Sequence, residues 1–167
     1  MKRAILATIL VAVLGVCQAA EANKTNPEEE RTMSIQKTYQ FIKDAKTYYL
    51  ATVEKDQPRV RPFGTIHIFE GKLYIQTGRK KNVAQQLLAN GKAEICAFKD
   101  GKWIRVSGVL VDDPRREAKA SMLSEYESLK KIGYSEDDEN TMVLYFQPGT
   151  VTSTIYSFTT PPEVMNF

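Results

Sequence analysis

The sequence predicts a mainly β fold of the α+β class, an antiparallel sheet closed into a barrel with short helices outside it or over its ends. Three observations carry this. From Tyr48 onward, hydrophobicity alternates with a period of two in run after run. Turn residues separate the runs at hairpin distances, as in Asp100-Gly101 and Pro148-Gly149. The few stretches with helical spacing are short, which argues against the long crossovers a parallel sheet needs.

A length of 167 residues suits one domain. Its first part reads as an address rather than as fold. Lys2 and Arg3 give a basic start, and Ala4 to Val16 is an apolar run of 13 residues, too short to span a bilayer comfortably. Ala20-Glu21-Ala22 then fits a small-residue cleavage site. Residues 1–22 are therefore expected to be a secretory signal peptide, with the protein exported to the periplasm. Leu14-Gly15-Val16-Cys17 resembles a lipobox, so the alternative is a lipid anchor at Cys17 in the cell envelope. Val16 stands where that signal normally has a small residue, and simple cleavage is preferred. No twin arginine follows Met1, so export of a prefolded, cofactor-loaded chain is not indicated.

Residues 23–33 are polar, with Pro27 and three consecutive glutamates, and read as a solvated leader. The domain is expected over 34–160. Ile35, Tyr39, Ile42 and Ala45 share one helical face, so a helix is predicted from Ser34, as N-cap, to Ala45. Strands are predicted over Tyr48–Val53, Arg59–Phe69, Lys72–Thr77, Ala93–Phe98, Trp103–Val111, Met142–Gln147 and Val151–Phe158. A short helix fits Asn82–Ala89, stopped by Asn90-Gly91. Asp113 is the expected cap of a further helix, with Pro114 at its first position. Gly133–Asn140 reads as a loop, and 161–167, with Pro161-Pro162, as an irregular tail.

The formal charge of +3 is too small to argue for a nucleic-acid surface, and no nucleic-acid partner is expected. One His and, after residue 22, one Cys are too few for a zinc site. Cys96 lies in an apolar run and reads as a buried small hydrophobe. There is no G-x-S-x-G, G-x-G-x-x-G or P-loop. What remains is a pattern of positive charge. Arg59 and Arg61 are two apart on a strand and share a face. Lys80 and Lys81, preceded by Arg79, stand at the start of the Asn82 helix. Cations are poorly placed there unless an anion binds, because that end already carries positive partial charge and free N–H groups. Thr77 could add a hydroxyl donor. A phosphate is the natural candidate, and a solvated charged surface is the alternative.

The ordered set of segments resembles the pyridoxamine 5′-phosphate oxidase-like family of FMN-binding split barrels. The pieces are Leu50-Ala51-Thr52-Val53, Gln57-Pro58-Arg59-Val60-Arg61-Pro62-Phe63-Gly64, Gly71 to Val83, Ala93 to Phe98, and Trp103-Ile104-Arg105-Val106-Ser107-Gly108. The resemblance implies a six-stranded antiparallel split β-barrel with short flanking helices, assembled as a homodimer with FMN in grooves at the interface. By position it implies that Arg59 and the Val60-Arg61-Pro62 backbone line the ribityl chain and ring. It also implies that Gln76 and Thr77 contact flavin or phosphate, and that Lys80 and Lys81 hold the phosphate. Trp103 and Arg105 would lie at or near the interface. A deazaflavin is the less favoured cofactor, and no second His supports haem ligation.

The pattern departs from members that oxidise pyridoxamine phosphate. Those carry an Arg- and Trp-containing C-terminal segment, and here no Arg follows Arg116. The expected function is an FMN-dependent oxidoreductase acting on an unidentified small molecule. The alternatives are a non-catalytic flavin-binding or flavin-carrying protein of the envelope, and a fold relic without flavin. No catalytic acid or base stands out; His67 reads as an ordinary strand residue.

Overall fold

A computed structural model describes residues 26–167; the predicted signal peptide and Cys17 lie outside them. The chain runs α1 (Pro27–Ala45), β1 (Tyr48–Glu54), β2 (Gln57–Phe63), β3 (His67–Phe69), β4 (Lys72–Gly78), α2 (Asn82–Ala89), β5 (Lys92–Lys99), β6 (Lys102–Asp113), α3 (Arg116–Glu125), α4 (Ser128–Lys131), β7 (Thr141–Phe146), β8 (Thr152–Ser157) and β9 (Glu163–Asn166). Every pairing is antiparallel. The fold is a split barrel, as expected, but with nine strands rather than six. The sheet is not closed, because β2 and β3 end the path β2-β1-β5-β6-β7-β4-β3.

The hairpin turns follow from their residues. Glu70-Gly71 and Asp100-Gly101 both place two consecutive residues at positive φ, the primed turn that matches strand twist. The 12-residue β6 joins the two halves of the sheet. Lys102–Ser107 pairs with β8, and Leu110–Asp113 pairs with β7. Between them Gly108 lets Phe146 and Val151 approach; a Cβ there would meet Phe146 at 3.0 Å.

The core fills the space between the half-sheets. Leu50, Ile66, Ile75, Ile95, Ile104, Val106 and Leu144 are almost fully buried, with Ile35 and Ile42 of α1 and Val83, Ala84 and Leu87 of α2 packed on them. Each fully buried aliphatic contributes about 1.5–3 kcal/mol relative to exposure. A smaller cluster of Tyr74, Ala118, Met122 and Val143 sits under α3.

Four expectations change. The helix predicted from Ser34 begins at Pro27, so the polar run is its first two turns. Asn26 caps it by accepting from the Glu28 N–H at 3.2 Å, and Glu28, Glu29 and Glu30 fill the first turn, where carboxylates oppose the helix dipole. The single strand predicted over Arg59–Phe69 is two strands. β2 pairs with β1, and β3 with β4; alternation alone does not reveal a change of partner. The helix predicted from Asp113 and Pro114 starts at Arg116, because the Asp113 carboxylate turns inward. The tail is ordered in part, as β9 pairs with β8 and buries Met165 and Phe167.

Candidate functional site

The break between β2 and β3 leaves Phe63, Gly64 and Thr65 crossing from one half-sheet to the other. A cleft of about 260 Å³ opens at this crossing. Its other walls are Arg61 and Pro62 at the end of β2, Gln76 and Thr77 near the end of β4, Lys81 and Val83 at the start of α2, and Leu129 of α4. Distant pieces of sequence thus meet because β4, paired between β7 and β3, hands the chain to α2.

The polar groups here are held from behind. The Thr65 hydroxyl accepts from the Gln76 N–H at 3.3 Å, and the Gln76 side-chain amide donates to the Thr77 carbonyl at 3.0 Å. The Arg79 N–H donates to the Asn140 carbonyl at 2.7 Å, and the Lys80 N–H to Asn140 Oδ1 at 3.0 Å. Gly78 packs closely here, since a Cβ would lie 3.0 Å from the Tyr134 hydroxyl. These ties fix the turn that delivers Lys81, whose Nζ lies 5.8 Å from the Tyr134 ring. Lys81 is the N-cap of α2 and offers no side-chain cap, so the first N–H groups of the helix keep their donors for something else.

Two features give the cleft its character. Thr77 is 2% exposed, and its Oγ1 is the one buried side-chain polar atom among the described residues without a hydrogen-bond partner. Buried hydroxyls are normally satisfied, and an orphan marks a missing partner. The second feature is uncompensated charge. Arg31, Arg59, Arg79, Arg105, Arg115 and Arg116 each form an ion pair with a carboxylate. Arg61 alone among the described arginines has only neutral partners: the Leu50 carbonyl at 3.1 Å, Thr52 Oγ1 at 2.7 Å and Gln86 Oε1 at 2.7 Å. Burial, and then the neighbouring Arg59 charge, pull the Arg61 pKa down against a smaller opposing effect of Glu54, yet a guanidinium stays charged at any ordinary pH. No carboxylate lines the cleft.

Of the predicted site residues, Arg61, Pro62, Gln76, Thr77 and Lys81 come together here. Arg59, Val60 and Lys80 do not line the cleft. The Arg59 guanidinium grips Glu54 Oε2 through Nε at 2.8 Å and through a terminal nitrogen at 2.6 Å. Lys80 is exposed, and Val60 faces outward at 64% exposure. Phe63, Gly64, Thr65, Val83 and Leu129 join the site without having been singled out in the sequence. Phe63 and Gly64 stood in the quoted segment, but Leu129 has no local signal at all.

His67 lies on β3 outside the lining, with Nε2 2.8 Å from Ser121 Oγ. Burial lowers its pKa, and Glu125 opposes that shift. Cys96, expected to be buried, is exposed on the outer sheet face. No group of three or more potential metal ligands occurs among the described residues, and no helix among them is long and apolar enough to cross a membrane. Larger clefts lie between α1 and β9, about 340 Å³ and bridged by a Lys37–Glu163 ion pair, and beside α2, about 410 Å³. Neither holds a buried polar atom without a partner.

Comparison with known proteins agrees with this architecture. The family model for pyridoxamine 5′-phosphate oxidase matches residues 35–154. A NimC/NimA family protein from Clostridium acetobutylicum is 40% identical with a TM-score of 0.78, over 83% of this chain and 95% of that one. A pyridoxamine 5′-phosphate oxidase-related, FMN-binding protein from Nostoc punctiforme is 17% identical with a TM-score of 0.54, over 81% and 96%. A heme-binding protein from Mycobacterium smegmatis is 12% identical with a TM-score of 0.59, over 84% and 58%. None of the curated proteins compared matches. By its matched segment, its split sheet and the 40% identical relative, this chain belongs to the pyridoxamine 5′-phosphate oxidase-like split-barrel family.

Proposed function

We propose that the protein binds FMN in the Arg61–Thr77–Lys81 cleft and acts as an FMN-dependent oxidoreductase on a small molecule. The observation that carries this reading is the orphaned Thr77 hydroxyl, at a cleft whose two cationic side chains, Arg61 and Lys81, form no ion pair among the described residues and whose lining holds no carboxylate. A phosphate monoester supplies what this site lacks: acceptor oxygens for Thr77, for Arg61 and Lys81, and for the uncapped N–H groups of α2. The residues present therefore fit the group. FMN, when bound, supplies the redox chemistry. Arg61, Thr77 and Lys81 hold its phosphate, Gln76 and Thr65 brace the wall, and Phe63, Val83 and Leu129 exclude water. The lining holds no carboxylate, histidine or thiol, so this chain binds and orients while the flavin transfers electrons. Heme is less well served, because the sole His is engaged with Ser121 away from the cleft.

A second copy of the chain completes the site in this reading. The cleft, at about 260 Å³, falls just below the roughly 300–1,000 Å³ typical of ligand pockets, and Pro62 of its lining lies on an outer sheet face that carries exposed aromatics. Register puts Pro62, Tyr49, Cys96 and Arg105 in one row on that face. Tyr49 is 53% and Phe98 64% exposed, and Trp103 stacks on Tyr156 at 5.2 Å beside the exposed Phe158. Such a patch marks an interaction surface. Export to the periplasm is part of the same proposal, with flavin acquired after translocation.

The test is titration of the flavin-free protein with FMN, followed by flavin fluorescence. Saturable binding is expected, weakened about tenfold or more in Arg61→Ala and in Lys81→Ala, each of which removes a charge-assisted contact. Absence of binding to the unaltered protein would refute the reading. Bleaching of the bound flavin by a reduced nicotinamide, with recovery on adding an electron acceptor, is expected of an oxidoreductase. A flavin that binds but resists every reductant would instead indicate a carrier.

A further inference from the structure

Arg61 is the only described arginine that an acid does not hold, yet it is not free to wander. Three neutral groups fix it. One terminal nitrogen donates to both the Leu50 carbonyl at 3.1 Å and Thr52 Oγ1 at 2.7 Å, and the other donates to Gln86 Oε1 at 2.7 Å. The Thr52 hydroxyl in turn donates to the same Gln86 oxygen at 2.7 Å. Thr52 and Gln86 are 2% and 7% exposed. They come from different elements, β1 and α2, so the bracket exists only in the assembled fold.

The orientation of the Gln86 amide is set at its oxygen. Its oxygen takes two donors, and its nitrogen faces Glu54, whose carboxyl is held below the usual range first by Arg59 and to a lesser degree by this amide. Glutamine suits this place for a chemical reason. A glutamate would also accept from Arg61 and Thr52, and would grip Arg61 more firmly. It would also cancel the positive charge, leaving less to attract an anion. A neutral acceptor fixes the guanidinium and leaves its charge unspent. A guanidinium has five N–H donors, and the bonds named here use three, so two remain for a ligand.

We propose that Gln86, assisted by Thr52, is a positioning residue that orients Arg61 without neutralising it, so that the arginine meets the phosphate of a bound flavin nucleotide. This rests on the FMN reading above, and the experiment separates the two. FMN and riboflavin differ only by the phosphate, so the ratio of their dissociation constants reports the phosphate contact alone. Both are titrated against the full-length protein, against Arg61→Ala, and against three bracket variants: Gln86→Met, Gln86→Glu and Thr52→Val.

The unaltered protein is expected to prefer FMN, and Arg61→Ala to lose most of that preference. Gln86→Met should weaken FMN binding about tenfold, because a charge-assisted contact loses its alignment, and leave riboflavin within about twofold. Gln86→Glu keeps the shape and the acceptor that Arg61 and Thr52 use, although it turns a carboxylate toward Glu54, and should lose at least as much for FMN because its charge offsets that of Arg61. Thr52→Val, with a hydroxyl replaced by a methyl, covers the case in which a Gln86 variant fails to fold. A bracket that merely supports the fold would lower thermal stability and weaken both ligands alike, so an unchanged FMN-to-riboflavin ratio in all folded bracket variants overturns the inference while the FMN site stands. If the unaltered protein does not distinguish the two ligands, the phosphate site falls, and this inference with it.

Discussion

Replacing Thr77 by valine should move stability and flavin affinity in opposite directions. The Thr77 hydroxyl is buried at 2% exposure with no partner, and leaving a buried polar group unsatisfied costs about 1–3 kcal/mol. Valine has the same shape without the hydroxyl and keeps the β-branch that suits strand β4. Taking the lower end of that range, the flavin-free Thr77→Val protein should gain about 1 kcal/mol, which raises Tm by about 3 °C for a domain of this size. FMN should bind the variant less well, because one hydrogen bond to a charged phosphate is lost. That bond is worth about 1.5–3 kcal/mol, or roughly 10- to 150-fold in dissociation constant. Thermal unfolding of the flavin-free protein measures the first effect, and fluorescence titration with FMN the second. A ligand site is one of the places where a protein keeps a locally unfavourable group. If Thr77→Val lowers the Tm of the flavin-free protein, the hydroxyl has a partner inside the fold. If the Tm rises and FMN affinity is unchanged, the orphan belongs to some other ligand.

Asp113 is 4% exposed and accepts from the Tyr74 hydroxyl at 2.9 Å, from the Arg115 N–H at 3.1 Å and from the Arg115 guanidinium at 2.8 Å. Burial alone would raise its carboxyl, but these bonds outweigh it and hold the group below its ordinary value. Asp113→Ala should cost about 2–3 kcal/mol in urea unfolding, less than the roughly 3–5 kcal/mol of a fully buried pair because Arg115 is partly solvated; a loss under about 1 kcal/mol would contradict this. His67 is held below the usual histidine value of 6.5. The unfolded chain then binds protons more readily, so this contribution is complete above 6.5 and is lost as pH falls through the lower folded value. His67→Asn should flatten that part of the Tm-versus-pH curve, and an unchanged slope would show that His67 is not its source. Tyr49→Asp and Phe98→Asp place charge on the apolar outer face; sedimentation should show dimer for the unaltered chain and monomer for the variants, whereas a monomeric unaltered protein would end the shared-site model.

Local residue chemistry made much of this legible. Helix α2 occupies the predicted Asn82–Ala89, because a clear apolar face is bounded by a turn and by Asn90-Gly91. The Asp100-Gly101 hairpin stands where two residues tolerant of positive φ occur together. What failed were decisions made at a distance. The alternation from Arg59 to Phe69 runs smoothly through Gly64, and only the competition between β1 and β4 for partners divides it. The glutamates after Pro27 look solvated and are solvated, yet they are helical, since exposure does not forbid a capped helix end. In the cleft, Thr77 and Lys81 were visible as donors close together in sequence, and Arg61 as one of two arginines on a strand face. Arg59 looked equivalent to Arg61 because both share a face, but Glu54, opposite Gln57 in the β1–β2 hairpin, claims the first and leaves the second. The Thr52–Gln86 bracket could not be read at all, as its members lie 34 residues apart.

The 12-residue β6 has a mechanical meaning. One unbroken backbone is the central rail of both half-sheets, so neither can peel away without stripping hydrogen bonds from a strand the other needs. The molecule should therefore come apart in one step rather than by halves. The cleft at the β2-to-β3 crossing thus lies between half-sheets joined through a single shared strand rather than through a hinge.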